Sequence, residues 1–166
     1  MPDKHSLSRE AFKEKVKLSN LTHFLGFGFG TGLAPFAPGT FGSLAALPII
    51  LLLQFHPWWS YLIVTTLAVS YGVIICQRVA DDLGVHDHPA IVWDEIAGML
   101  ITFIAIPLTP LTLLLGFVLF RFFDIVKPFP IRFIDKKVEG GLGIMLDDVI
   151  AGIFAAVALR FLLPLI

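Results

Sequence analysis

Apolar residues gather in five runs, at about Phe41–Phe55, Trp58–Val79, Ile96–Leu108, Leu111–Ile125 and Val149–Ile166, separated by short polar or proline-containing breaks. A membrane-crossing helix needs about 20 apolar residues, so the first run, at about 15, is short enough to turn back instead. Charge decides between the two. If all five runs cross from a cytosolic N-terminus, every Lys and Arg except Arg160 falls on the inner side, and the outer connections "HPWW" and "TPLT" carry none. A re-entrant first run turns Arg121, Lys127, Arg132, Lys136 and Lys137 outward, against the tendency of basic residues to stay inside. The pattern thus predicts an all-α fold, a polytopic membrane helical bundle of about five membrane-embedded segments preceded by a Gly-rich loop. Trp58 and Trp59 then lie at the outer headgroup level.

Composition agrees with a non-aqueous home. The 166 residues are 57% hydrophobic and 15% charged, and the mean hydropathy is +0.86; soluble domains run near half apolar and about a quarter charged. The net charge of −1 says nothing about nucleic acid, but no basic tract rises above what membrane topology explains, so no nucleic-acid partner is expected. Cys76 is the single cysteine, which excludes an intrachain disulfide and a cysteine metal cluster. Residues 1–20 are polar and read as a cytoplasmic or interfacial segment without a cleavable signal, ahead of one membrane-embedded domain over 21–166. No feature signals an obligate protein partner.

The chemistry concentrates on the inner face, where the predicted topology gathers Asp81, Asp82, Asp87, Asp94, Glu95, Asp124, Asp135, Asp147 and Asp148. The stretches "IVWDEIAGM" (91–99) and "MLDDVIAGI" (145–153) share the pattern D-x-I-A-G. On a helix the acid and the glycine four residues on share a face, and the small residues admit a close neighbour. Two such helices side by side would aim their carboxylates at one spot. Acids that merely begin helices at the interface explain one pair equally well. Several on one face repel one another unless a cation lies among them, and all-oxygen ligands suit Mg²⁺, Mn²⁺ or Ca²⁺.

Three further stretches carry polar signals. In "FRFFDIVKPFPIR" (120–132), Arg121, Asp124 and Lys127 are three apart, near one face of a helix that Pro128 and Pro130 stop. Basic residues flanking a span also set topology, but Arg121 lies inside the apolar run, and with Lys127 it makes a plausible phosphate clamp. "GFGFGTGLAPFAPGTFGSLAAL" (26–47) lacks both the dinucleotide and the P-loop spacing. The amides and hydroxyls of Gly39, Thr40, Gly42 and Ser43 stand at a predicted helix start, a natural anion site or simply a capped, close-packed turn. "DDLGVHDHPAIVWDE" (81–95) offers His86 and His88 as proton shuttles or metal ligands, with no third nitrogen or sulfur ligand to favour zinc.

Taken together, "PGTFGSLAALP", "DLGVHDHPAIVWDEIAGM", "FRFFDIVKPFPIRFID" and "GGLGIMLDDVIAG" resemble the phosphatidylglycerophosphatase A family over about Ser19 to Ile153. The resemblance implies a Mg²⁺-dependent hydrolase that removes the terminal phosphate of phosphatidylglycerophosphate, multi-pass in the bacterial inner membrane with its site facing the cytoplasm. It implies family-typical positions at Asp82, His86, Asp87, His88, Asp94, Glu95, Arg121, Asp124, Lys127, Asp147 and Asp148. The resulting expectation gives Mg²⁺ to Asp94, Glu95, Asp124, Asp147 and Asp148. It gives the substrate to Thr40, Gly42, Ser43, Arg121, Lys127 and Arg132, and catalysis to Asp82, His86, Asp87, His88, Asp94 and Asp148. An ion transporter is the rival from another class, and it predicts acids spread through the bilayer depth. A CDP-alcohol phosphotransferase is a second rival, but its longer aspartate signature is absent.

Overall fold

A computed structural model describes residues 7–85 and 87–166, so the predicted His86 lies outside the described residues. They form α1 (Arg9–Lys15), α2 (Leu21–Gly26), a 3₁₀ segment (Gly28–Leu33), α3 (Pro38–Leu53), α4 (Trp58–Leu83), α5 (Trp93–Thr102), α6 (Pro110–Val126), α7 (Ile131–Lys137), α8 (Gly140–Leu162) and a last 3₁₀ turn (Leu163–Leu165), with no strand. Local chemistry sets several of these ends. Thr109 and Thr112 form a reciprocal cap at the start of α6, with Pro110 in the first turn, where a missing N–H costs nothing. Gly84 ends α4 in the left-handed region at φ 73, its N–H bonded back to the Ala80 carbonyl.

Five helices alternate in direction. The starts of α3 and α5 and the end of α6 meet at one end of the molecule with the acids of α8. The end of α3, the start of α4 and the exit from α5 meet at the other, where Arg160 near the end of α8 donates to the Ile104 carbonyl (2.9 Å). Among the described residues only Trp58–Leu83 and Gly140–Leu165, each 26 residues, are long and apolar enough to cross a bilayer, fewer than the predicted five or so. Helices α3, α6 and α5 have 16, 17 and 10 residues. At 1.5 Å per residue α5 rises only about 15 Å, against a hydrocarbon thickness of about 30 Å. Its apolar run continues to Leu108, but the helix does not. Pro107 disfavours helical backbone at Ile106, Ala105 takes φ 54, and Phe103 turns inward against Gly116.

The short α5 is central, packed against α3, α4, α6 and α8. It crosses α8 at the glycines of the two D-x-I-A-G stretches: a Cβ on Gly152 would overlap the Gly98 carbonyl, and one on Gly98 would lie 2.8 Å from the Asp148 carbonyl. Backbone-to-backbone packing of this kind is available only to small residues. Gly32 and Gly42 likewise accept Ala90 and Val92, while the Val92 N–H donates to the Gly26 carbonyl (2.9 Å). The Gly-rich segment is therefore a cradle for the residues leading into α5. Around the bundle Leu52, Ile63, Leu67, Leu114, Val118 and Val157 remain exposed, an apolar belt that water would not favour.

Candidate carboxylate and phosphate site

The site is assembled from helix ends. Asp94 and Glu95 occupy the first turn of α5, whose start is pinned by the Trp93 indole N–H donating to the Ala68 carbonyl (2.9 Å). Asp148 is buried within α8, one turn before the glycine crossing. One oxygen from each of Asp94, Glu95 and Asp148 lies within 4.8 Å of the others. Asp94 Oδ1 and Glu95 Oε2 are buried without a hydrogen-bond partner, as is Arg121 Nε. Carboxylates this close repel unless a cation lies between them, and unpartnered buried oxygens call for a ligand. The donor set is all oxygen and fits a hard divalent cation.

Cations face this cluster. Arg121 Nη1 donates to Asp124 Oδ2 (2.5 Å) and stands 4.0 Å from Glu95 Oε1, while Lys127 Nζ donates to Asp147 Oδ2 (2.5 Å). Asp147 also accepts the Asp148 N–H (3.1 Å). Ala37, Pro38 and Gly39 bring the start of α3 against the same pocket, a space of about 370 Å³. A Cβ on Gly39 would collide with Glu95 Oε1 and crowd the Arg121 guanidinium at 3.1 Å, so a larger residue there would force those two side-chain ends to shift.

The pocket thus joins Asp87, Asp94, Glu95, Arg121, Asp124, Lys127, Asp147 and Asp148 of the predicted set. Other predicted residues lie elsewhere. Thr40, Gly42 and Ser43 build the first turns of α3: the Thr40 N–H donates to the Ala37 carbonyl, Ser43 Oγ donates to the Gly39 carbonyl (2.9 Å), and Gly42 packs on Val92. Arg132 is exposed on α7. Asp82 pairs with His23 Nε2 (2.9 Å) in a separate recess with Glu14, Lys15, Lys17 and Asn20. His23 Nδ1 accepts the Lys17 N–H (3.2 Å), so Nε2 carries the proton. His88 Nδ1 accepts the Ala90 N–H (3.2 Å), and its ring stacks on Phe12 of α1 at 4.4 Å. Burial lowers the His88 pKa below the ordinary imidazole value, with the Asp87 charge opposing.

Sequence reasoning did not single out Ala37, Pro38, Pro89, Ile91 or Ile125, which also line the pocket. One signal was present. Ala37 and Lys127 each precede a proline, which disfavours the right-handed helical region, and both adopt φ 45 at the pocket edge. Such left-handed backbone costs about 1–2 kcal/mol for a residue with a Cβ, so the surrounding structure holds it in place.

Fold and pocket define a helical, membrane-type protein whose buried carboxylates confront an arginine and a lysine, a setting for a phosphate and a divalent cation. Sequence comparison makes the class specific. The profile of a family described as phosphatidylglycerophosphatase A matches residues 24–163. The chain is 48% identical over 155 residues to phosphatidylglycerophosphatase A of Escherichia coli K12, covering 93% of this chain and 90% of that one. It is 49% identical over 146 residues to the protein of the same name from Haemophilus influenzae, covering 87% and 90%. A Bacteroides thetaiotaomicron relative, 36% identical over 82% of this chain and 90% of its own, carries a provisional name as a phosphatidylinositol-3-phosphatase. No solved structure matches. The chain belongs to the phosphatidylglycerophosphatase A family and is a lipid phosphatase.

Proposed function

We propose that the protein hydrolyses phosphatidylglycerophosphate to phosphatidylglycerol and inorganic phosphate at the cytoplasmic face of a bacterial inner membrane. The observation that carries this reading is the confrontation of Asp94, Glu95 and Asp148 with Arg121 and Lys127, in a chain whose relatives are named for that reaction. The proposed cofactor is Mg²⁺, held by Asp94, Glu95 and Asp148, with Asp124 and Asp147 beside them in the pocket. When bound, the ion supplies Lewis-acid polarisation of the phosphate and a more acidic water.

The protein's own groups do the rest. Arg121, through its unpartnered Nε, and Lys127 neutralise charge on the phosphoryl oxygens. Asp124 and Asp147 fix the orientation of those cations. In the reaction a water oxygen bonds to phosphorus and gives up a proton, the bond from phosphorus to the glycerol oxygen breaks, and that oxygen takes up a proton in turn, so that water is divided between phosphate and alcohol. Five membrane-embedded segments accommodate this site, with α4 and α8 crossing fully and α3, α5 and α6 embedded at shorter length. Arg121, Lys127, Arg132 and Lys137 share the site's end with the acids, while Arg160 stands at the other; the inside bias of basic residues supports a cytoplasmic site.

The test is phosphate release by purified protein in detergent, on phosphatidylglycerophosphate with Mg²⁺ and then with chelator. Metal-dependent release is expected. No release with Mg²⁺ refutes the activity, and undiminished release with chelator refutes the cofactor. Faster hydrolysis of phosphatidylinositol 3-phosphate overturns the headgroup assignment.

A further inference from the structure

The rim of the pocket has two characters. Asp87 and Pro89, both exposed, belong to the polar connection between α4 and α5. Ala37 and Ile125 are apolar and exposed, and Ile125 is 68% open although it adjoins Asp124. Two aromatic pairs lie near these apolar lining residues in the chain. Phe36 meets Phe41 edge-on at 5.6 Å at the start of α3, and Phe129 lies 6.4 Å from Phe133 just beyond α6. Phe36 and Phe129 are 68% and 83% exposed. Helices α3 and α6 touch sparsely, because α3 packs chiefly on α5 and α6 chiefly on α8. The charged pocket opens in the cleft between the start of α3 and the end of α6, lined by Ala37, Pro38 and Gly39 on one and by Arg121, Asp124, Ile125 and Lys127 on the other. Cations accompany the second aromatic pair: Lys137 Nζ lies 4.4 Å over the Phe133 ring, and Arg132 is exposed on the same helix.

A soluble phosphate ester leaves the apolar part of this rim, and the exposed Phe36 and Phe129 near it in the chain, without a contact. An amphiphile with an anionic head fits it, because its chains keep their apolar surroundings while the phosphate reaches the cations. We infer that the cleft between the start of α3 and the end of α6 is the lateral entry for a diacyl anionic phospholipid. Its chains lie against Phe36, Ile125 and Phe129, its phosphate meets Arg121 and Lys127, and inorganic phosphate leaves past Asp87 and Pro89. This assignment rests on the phosphatase reading above and locates its substrate.

Two measurements test it. Phosphate release is compared on dioleoyl phosphatidylglycerophosphate in mixed micelles and on its deacylated headgroup, for wild type, Phe36→Ser, Phe129→Ser and the double variant. Phe161→Ser, at an exposed position far along α8, is the control. The lipid-to-headgroup ratio should fall about tenfold in the double variant, the scale of losing an aromatic's apolar contact, and hold in the control. A ratio unchanged in the double variant overturns the entry site while leaving the phosphatase reading intact. Wild type that releases phosphate from neither substrate overturns both. Independently of activity, a photoreactive benzoylphenylalanine replacing Phe36 or Phe129 should capture phosphatidylglycerophosphate over phosphatidylcholine from equimolar vesicles, with no preference at position 161. Equal capture of the two lipids at positions 36 and 129 also overturns it.

Discussion

Helices α5 and α8 carry the same D-x-I-A-G pattern and use their acids differently. In α5 the pair stands in the first turn, and both Asp94 and Glu95 join the carboxylate cluster. In α8 the pair lies about two turns inside the helix; Asp148 joins the cluster, whereas Asp147 is turned to Lys127. The glycines, Gly98 and Gly152, bring the two backbones together. What each acid then faces is decided by neighbouring helix ends. The same pattern supplies a shared approach, and the surroundings divide the work.

The largest expected effect comes from breaking the shared part. Asp94→Asn and Asp148→Asn should each lower phosphate release by about 100-fold or more and abolish divalent binding, read by Mn²⁺ electron paramagnetic resonance on detergent-purified protein. Full activity and full binding in both variants refute the metal assignment. Next is the crossing itself. Gly98→Leu or Gly152→Leu should destabilise the fold by about 1–3 kcal/mol through overpacking, seen as a lower melting temperature, and should weaken divalent binding because the carboxylates separate. An unchanged melt means that the helices do not meet there.

Asp147→Asn sharpens the comparison. It should raise KM about tenfold by loosening Lys127, a charge-assisted contact worth about that factor, while divalent affinity stays near wild type. Loss of metal binding equal to that of Asp148→Asn erases the distinction between the two acids. The smallest effect concerns pH. His88 has a lowered pKa in the fold, so below about 6.5 the unfolded chain binds the proton more readily than the folded one, and stability falls as pH falls. Protonation also removes the Nδ1 acceptor of the Ala90 N–H. Hydrogen exchange in α1, docked on His88 through Phe12, should quicken between pH 7 and about 5.5, and His88→Gln should flatten that response.

Much of the site was legible because its chemistry is compact in the sequence. The acid pairs, and the three-residue spacing of Arg121, Asp124 and Lys127, each lie on one helix, where periodicity alone sets which side chains share a face. Asp82 and His88 show the limit. They neighbour the site in sequence, but one pairs with His23 and the other stacks on Phe12, contacts made by the N-terminal helices over long sequence separation. The length of α5 was hidden for another reason: composition continues through Leu108, while the backbone turns at Phe103.

By itself the sequence determined that the chain is helical, strongly apolar and acidic at one end, since composition and period act locally and need no partner. Tertiary structure alone decided which carboxylates meet, because their convergence depends on how closely Gly98 and Gly152 let two helix backbones approach. It also decided that the pocket's rim is apolar at Ile125 and polar at Asp87. That difference depends on which flank of each helix its neighbours leave uncovered, and packing fixes this only once the whole bundle has formed.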